Sequence, residues 1–224
     1  MASSTVEDYL KRIWLEQQRS PGVRISTGQI ASALEVTPGT ATSMVKTLSD
    51  AGLLVYEPYN GVALTPSGNR LAMHVLRRHR LVELFLVRVM GMNWSEVHGE
   101  AELLEHAISE RLLERMDEML GRPQFDPHGD PIPTRQGEVS ETSQLHLLDC
   151  PLGRPVQIVR VTDQSEGFLR LVERHGLVPG RRLQVESRDE QAGTVRLRPE
   201  SARRRRVSLG FGAASRIQVQ PVGR

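Results

Sequence analysis

The stretch EVHGEAELLEHAIS, residues 96–109, sets two histidines and four glutamates into what otherwise reads as an ordinary helix. At about 100° per residue, Val97, Ala101, Leu104, Ile108 and Leu112 form one apolar stripe. Measured from His98, the residues Glu102, Glu105 and His106 fall at roughly +40°, −20° and +80°, so the four share a face. Glu100 falls about 200° away and behaves as a solvated acid should. His79 and Glu83 are a second pair, spaced i, i+4 on the preceding helix. With His98 opening the facing stretch, two helices can present nitrogen and oxygen atoms to one point. The chemistry such groups perform is divalent-metal binding, and the plain alternative is a solvated polar face.

The lone cysteine, Cys150, excludes an internal disulfide and a zinc site built from several thiolates. Only nitrogen and oxygen donors remain. Carboxylates with one imidazole suit Mn(II), with Fe(II) close behind, and Zn(II), Co(II) or Cd(II) are in vitro substitutes. No His-Glu-x-x-His pattern is present, because His98 lacks the adjacent Glu, so an enzyme is not expected. His74, His175, His128 and His146 read as solvated.

The chain has 224 residues, 38% hydrophobic and 25% charged, enough for one or two cores. No run approaches eighteen apolar residues, and MASSTVEDYLKRIW lacks the features of a secretion signal, so a cytoplasmic protein without a membrane partner is expected. The net charge of +2 hides an asymmetry: residues 1–150 carry 14 basic and 20 acidic side chains (−6), residues 151–224 carry 15 and 7 (+8). A boundary near residue 150 follows. The acidity of the middle segment fits cation binding better than a nucleic-acid surface, so any DNA contact must come from a local patch. The arginine run at 203–206 reads as a solvated turn or a protected edge strand.

These groups need elements to hold them. A first amphipathic helix spans residues 5–18, with Val6, Leu10, Ile13 and Trp14 on one face. A short helix at 27–34, a tight connection and a second helix with Thr37 as N-cap, Pro38 as first residue and Gly52 at its end have helix-turn-helix spacing. LLVYE and VALT, joined by PYNG, form a hairpin signalled by Asn60-Gly61, the wing of a winged helix. Pro66 opens a long helix ending near Gly91, and one more helix runs from Trp94 to Gly121. Their excess apolar surface implies a dimer. Residues 124–148 read as an irregular connector, and five short β runs follow Cys150, fitting a small SH3-like barrel. The expected fold is mainly α with a small β part: a winged helix-turn-helix (1–73), a helical dimerisation and metal-binding domain (74–133), a linker (134–149) and an SH3-like domain (150–224).

In the recognition helix, Thr37, Pro38, Gly39, Thr40, Thr42, Ser43 and Lys46 are the candidate DNA contacts, small groups and one cation that allow close approach to a groove. Tyr59 and Asn60 at the wing tip are candidates for phosphate contact.

A winged helix, HRLVE, VHGEAELLEH, DPHGDPIP and a small β tail, in this order, resemble the diphtheria-toxin-repressor family of metal-dependent transcriptional regulators over nearly the whole chain. The resemblance implies a homodimer that binds a divalent metal and then a palindromic operator in double-stranded DNA, repressing metal-uptake genes. It matches Asp8, Glu102, Glu105 and His106 to the primary metal site, and His79, Glu83 and His98 to a second. VTDQSEG offers Asp163 and Glu166 as that second site's ligands from the β domain. Iron-sensing members place cysteine and methionine where this chain has Glu102 and Asp8, so the harder donors point to Mn(II) before Fe(II). A binuclear centre that uses a further first-helix carboxylate is not expected, because Lys11 stands there. The rival reading is a winged-helix regulator answering to a small molecule.

Overall fold

The computed structural model describes residues 3–139, 145–200 and 206–222. The chain forms two units: Met1–His79 with Glu105–Ile108 and Pro133–Val139, and Arg80–Leu104 with Ser109–Ile132 and Ser140–Arg224.

In the first unit, α1 (Ser4–Arg19) buries Leu10 and Ile13 completely. α2 (Thr27–Ala33) begins with a capping box between Ser26 and Gln29, which satisfies two otherwise orphaned donors. α3 (Pro38–Asp50) starts on Thr37, whose hydroxyl accepts from Thr40 N at 3.2 Å, with Pro38 in the first turn. β1 (Leu54–Glu57) pairs antiparallel with β2 (Gly61–Leu64), and Ile25 bridges to Val62. Leu10, Ile13, Ile30, Val45, Leu48 and Val62 centre this core. The helix-turn-helix and the wing are as expected. The turn differs from the Asn60-Gly61 expectation: Tyr59 takes the left-handed conformation (φ 66°), and Gly61 is already paired with Glu57. Gly61 is needed because a Cβ there would lie 2.7 Å from the Ile25 carbonyl oxygen.

α4 (Pro66–Arg88) is divided between the two units. The expected single helix from Trp94 to Gly121 is in fact two, α5 (Val97–Leu104) and α6 (Glu110–Met119). Ser109 is the reason for the restart: its hydroxyl accepts from Leu112 N at 3.3 Å, and Glu110 follows in the first turn. The apolar stripe is broken accordingly, with Val97 and Ala101 buried but Leu104 and Leu112 exposed.

The β part is a six-stranded antiparallel sheet in the order β3-β8-β4-β5-β6-β7. Its strands are β3 (Leu145–His146), β4 (Pro155–Val161), β5 (Arg182–Asp189), β6 (Thr194–Pro199), β7 (Val207–Gly210) and β8 (Ile217–Pro221). The five β runs read from sequence are β4 to β8. Two helices were not anticipated, α7 (Glu166–Arg174) and the single turn α8 (Phe211–Ala214). α7 buries Phe168, Leu169 and Val172, a helical spacing hidden among arginines and glutamates. Residues 140–144 of the expected linker and 203–205 of the arginine run lie outside the described residues.

Part of the expected irregular connector is a tight turn. Asp126 Oδ1 accepts from His128 N (2.8 Å) and Asp130 N (2.9 Å), and Val161 N of β4 donates to the His128 carbonyl (2.9 Å). Gly129 takes φ +89°, and a Cβ there would lie 1.9 Å from the Val159 carbonyl oxygen. Gly129→Ala therefore combines backbone strain with a backbone collision, and should destabilise the protein by more than about 2 kcal/mol. Thermal denaturation checks this; a melting temperature equal to wild type would show that the turn does not hold β4.

Candidate metal centres and nucleic-acid interface

The first unit gathers Asp8, Glu105 and His106 so that one ligand atom from each lies within 4.8 Å of the others. α1 supplies Asp8, and the break between α5 and α6 supplies the other two. The break decides the geometry, because it lets Glu105–Ile108 belong to the first unit while the flanking helices belong to the second. The helical face drawn from sequence is accordingly split. Glu105 is wholly buried, whereas His98 and Glu102 sit half-exposed in the second unit, 3.7 Å apart.

A buried carboxylate demands compensation, and Glu105 receives it twice. Lys11 Nζ donates to Oε1 at 2.5 Å, and His79 Nδ1 lies 2.6 Å from Oε2. Both partners are themselves buried. His106 directs Nδ1 at Glu7 Oε2 (2.7 Å) and Nε2 at Asp8 Oδ1 (2.9 Å), so both ring nitrogens face carboxylates. Glu7 is buried in turn and is held by Arg78 at 2.7 Å. Sequence reading missed Glu7, and treated Lys11 only as a departure from a pattern. The available signal was their i, i+4 spacing on the apolar side of α1, around Leu10. The resemblance assigned His79 to the second site; its ring offers a ligand atom within 4.8 Å of ones from Glu83 and His98, and its Nδ1 also lies 2.6 Å from the primary-set Glu105 Oε2.

The second unit holds its own cluster. Glu83 and His128 are wholly buried and Asp126 nearly so, and the three offer ligand atoms within 4.8 Å of one another. The expectation that His128 is solvated is thus overturned: Nε2 lies 2.9 Å from the Trp94 carbonyl oxygen, and the ring stacks on the Trp94 indole. Among the described residues, His128 Nδ1 and Asp126 Oδ2 have no hydrogen-bond partner. Burial opposes a charge on His128, but Glu83 at 3.7 Å, and behind it Asp126, outweigh burial and push its pKa up to about 9. Burial, then the charges of Asp130 and Glu83, push Asp126 up to about 7. His98 Nδ1 lies 3.1 Å from Glu83 Oε1. His79 is one turn before Glu83 on α4.

Asp163 and Glu166 are not drawn into either cluster. Asp163 accepts from Ser165 N (2.9 Å) and pairs with Arg216 (2.5 Å), and these contacts hold its carboxyl below the usual range against the opposing effect of burial. Glu166 pairs with Arg170 one turn along the unanticipated helix α7. That helix explains why the two positions do not behave as one loop. His146 is also half-buried rather than solvated, with Nδ1 2.7 Å from the Ser215 carbonyl oxygen.

On α3, the Thr37 and Thr40 hydroxyls lie 2.9 Å apart, and Thr42 Oγ1 donates to the Pro38 carbonyl at 2.8 Å. These hydroxyls serve the helix first. Pro38, Gly39, Ser43 and Lys46 are exposed, as is Tyr59 at the wing tip, while Asn60 donates to Glu57 at 2.6 Å.

Three family models match in succession. Residues 1–62 match the N-terminal DNA-binding domain of iron-dependent repressors, residues 65–134 the metal-binding and dimerisation domain of the same family, and residues 145–221 the FeoA domain. The iron-dependent repressor IdeR of Mycobacterium tuberculosis (strain ATCC 25618 / H37Rv) is 34% identical over 196 residues, covering 82% of this chain and 84% of IdeR. This chain belongs to the iron-dependent repressor family. Within that family, the transcriptional regulator MntR of Lysinibacillus sphaericus is 35% identical over 120 residues, 54% of this chain and 84% of MntR. A solved manganese-dependent transcriptional repressor in complex with manganese is 40% identical with a TM-score of 0.87, covering 97% of this chain and all of that one. ScaR with bound Zn²⁺ is 30% identical with a TM-score of 0.79, covering 97% and 99%.

Removing Lys11 leaves the buried Glu105 charge with two imidazoles, His79 at 2.6 Å and His106 at 3.3 Å. Lys11→Met should destabilise the chelator-treated protein by about 2–3 kcal/mol. Urea denaturation with and without Mn(II) checks this: the deficit should shrink when metal is added, and an unchanged midpoint in chelator would show that the ion pair contributes nothing.

Proposed function

We propose that this member of the iron-dependent repressor family is a transcriptional regulator that binds double-stranded DNA when loaded with Mn(II), or with Fe(II) as the alternative. Zn(II), Co(II) and Cd(II) are expected as in vitro substitutes. The observation that carries this reading is the convergence of Asp8, Glu105 and His106 across α1 and the α5–α6 break. The donors are carboxylate oxygens and one imidazole, hard ligands that suit Mn(II) and Fe(II) and lack the thiolates that favour softer ions.

When bound, a divalent cation supplies positive charge to this acidic set. The chain's residues do the rest. Asp8 presents oxygen from α1, whose apolar face packs in the same core as α2 and α3. Anchoring α1 to the 105–108 segment therefore holds the recognition helix. His106 stands between Glu7 and Asp8, so its Nε2 would join Asp8 in holding the ion while Glu7 fixes the ring's orientation through Nδ1. Glu102 of α5 is the proposed fourth donor. For the second position we propose His79, Glu83 and His98, joined by Asp126 and His128 in place of Asp163 and Glu166. That His128 Nδ1 and Asp126 Oδ2 make no hydrogen bond among the described residues supports this set.

Pro38, Gly39, Ser43, Lys46 and Tyr59 are the proposed DNA contacts, with Thr37, Thr40, Thr42 and Asn60 shaping the helix start and wing. The exposed Leu103, Leu104, Leu112 and Met119 of α5 and α6 support a homodimer, which would favour a palindromic operator in metal-uptake genes.

Fluorescence anisotropy on duplexes from the protein's own upstream region, with Mn(II), with Fe(II) kept anaerobic, and with chelator, tests the reading. Metal should tighten binding by ~100-fold or more, about 2.7 kcal/mol, and Asp8→Ala should abolish that gain. Equal binding under chelator would return the protein to a small-molecule regulator. Separately, His128→Gln should lower the Mn(II) retained in native mass spectrometry by one ion per chain; unchanged stoichiometry would remove Asp126 and His128 from the second position.

A further inference from the structure

The part of the chain matched as DNA-binding is poor in the charge that a polyanion needs. Residues 1–62 carry five basic and six acidic side chains, a net charge of −1. Three of those five cations are held in internal pairs: Lys11 with Glu105, Arg19 with Glu16 and Arg24 with Glu57. Neutralising phosphates with Lys and Arg, and so releasing counterions, supplies most of the sequence-independent affinity of a DNA-binding protein. Here the excess cationic charge lies elsewhere, in the +8 of residues 151–224.

That charge is arranged. In β5 and β6 the buried residues Leu183, Val185, Val195 and Leu197 alternate with outward residues, so Arg182, Arg196 and Arg198 share the solvent face of adjacent strands. Arg206 joins them at the entrance to β7, where Ser208 lies opposite Arg196. Arg198 and Arg206 are more than half exposed, and a single carboxylate, Glu186, serves both, at 3.7 Å and 2.8 Å. Gln184 adds one neutral acceptor, to Arg198. Glu200, bonded through its backbone to Arg182, and Asp189, opposite Thr194, are further acids of this face; with Glu186 they are outnumbered by the four arginines, which leaves a small positive surplus of guanidinium forks, chemistry that suits phosphate oxygens.

We propose that this outward sheet face binds the phosphate backbone of duplex DNA without regard to sequence, adding the electrostatic affinity that the winged helix lacks. The proposal deepens the DNA-binding reading above and does not depend on the metal.

The test uses the full chain and two duplexes, one of random sequence in chelator and one from the upstream region with Mn(II), each titrated by anisotropy from 50 to 200 mM salt. The variants are Arg196→Gln/Arg198→Gln/Arg206→Gln and the corresponding triple lysine replacement, with thermal melts to verify folding. At about 0.9 per phosphate neutralised, the salt slope of log K should fall by roughly 2–3 per bound chain in the glutamine variant on both duplexes, and the lysine variant should recover much of it. Wild-type slope and affinity in a folded glutamine variant, or no wild-type binding to the random duplex at 50 mM salt, would overturn the proposal. A metal-independent upstream titration with the arginine effect intact would instead overturn the metal-dependent function alone.

Discussion

A carboxylate removed from water must be compensated, and Glu105 is the place where this constraint organises the protein. Its two oxygens are taken by Lys11 and by His79, which draws α1 and α4 to the turn between α5 and α6. His106, the next residue, reaches Glu7 and Asp8 on the same α1. With Arg78 behind Glu7, acids and cations alternate through the site. Each carboxylate is neutralised from within the chain, and the arrangement tolerates its own burial. The donor set proposed for a divalent ion is therefore an environment that already balances charge rather than a bare acidic pocket. This is a reason for a response that depends on metal concentration, because part of the ion's binding free energy offsets the interactions it displaces.

The cluster at Glu83, Asp126 and His128 answers the same constraint differently. There the positive charge resides on a buried imidazole, stacked on Trp94 and held by a turn whose shape depends on Gly129. Arg80 approaches Asp126 to 4.0 Å and Asp130 to 3.6 Å, and Arg160 also bonds Asp130. The turn is thus tied to α4 on one side and to β4 on the other. In the second unit, metal-competent groups and the sheet's anchoring residues are neighbours in sequence.

Much of the architecture was legible because local signals agreed with one another. Thr37-Pro38 opened α3, Gly52 closed it, and short β runs identified β4 to β8. Legibility failed where a local signal was outvoted or overlooked. The apolar period through residues 97–112 argued for one helix, yet Ser109 and Glu110 restart it, and the exposed Leu104 and Leu112 show that the stripe does not face one core. α7 was missed because its apolar residues are separated by charged ones.

Of the site, residue types and approximate spacing were set by the chain itself: hard nitrogen and oxygen donors, one cysteine, and an acidic first part followed by a basic last one. These exclude a thiolate centre and mark the segments that carry the ligands. Only the tertiary structure decided which donors meet. It placed Glu105 and His106 against Asp8, set His98 beside Glu83 as well as Glu102, brought His128 to Glu83, and gave Asp163 and Glu166 to arginines. The physical reason is that a helical wheel sorts residues within one element. The pairing of buried charges depends on distances between elements, which loop breaks and packing set and which no periodicity records.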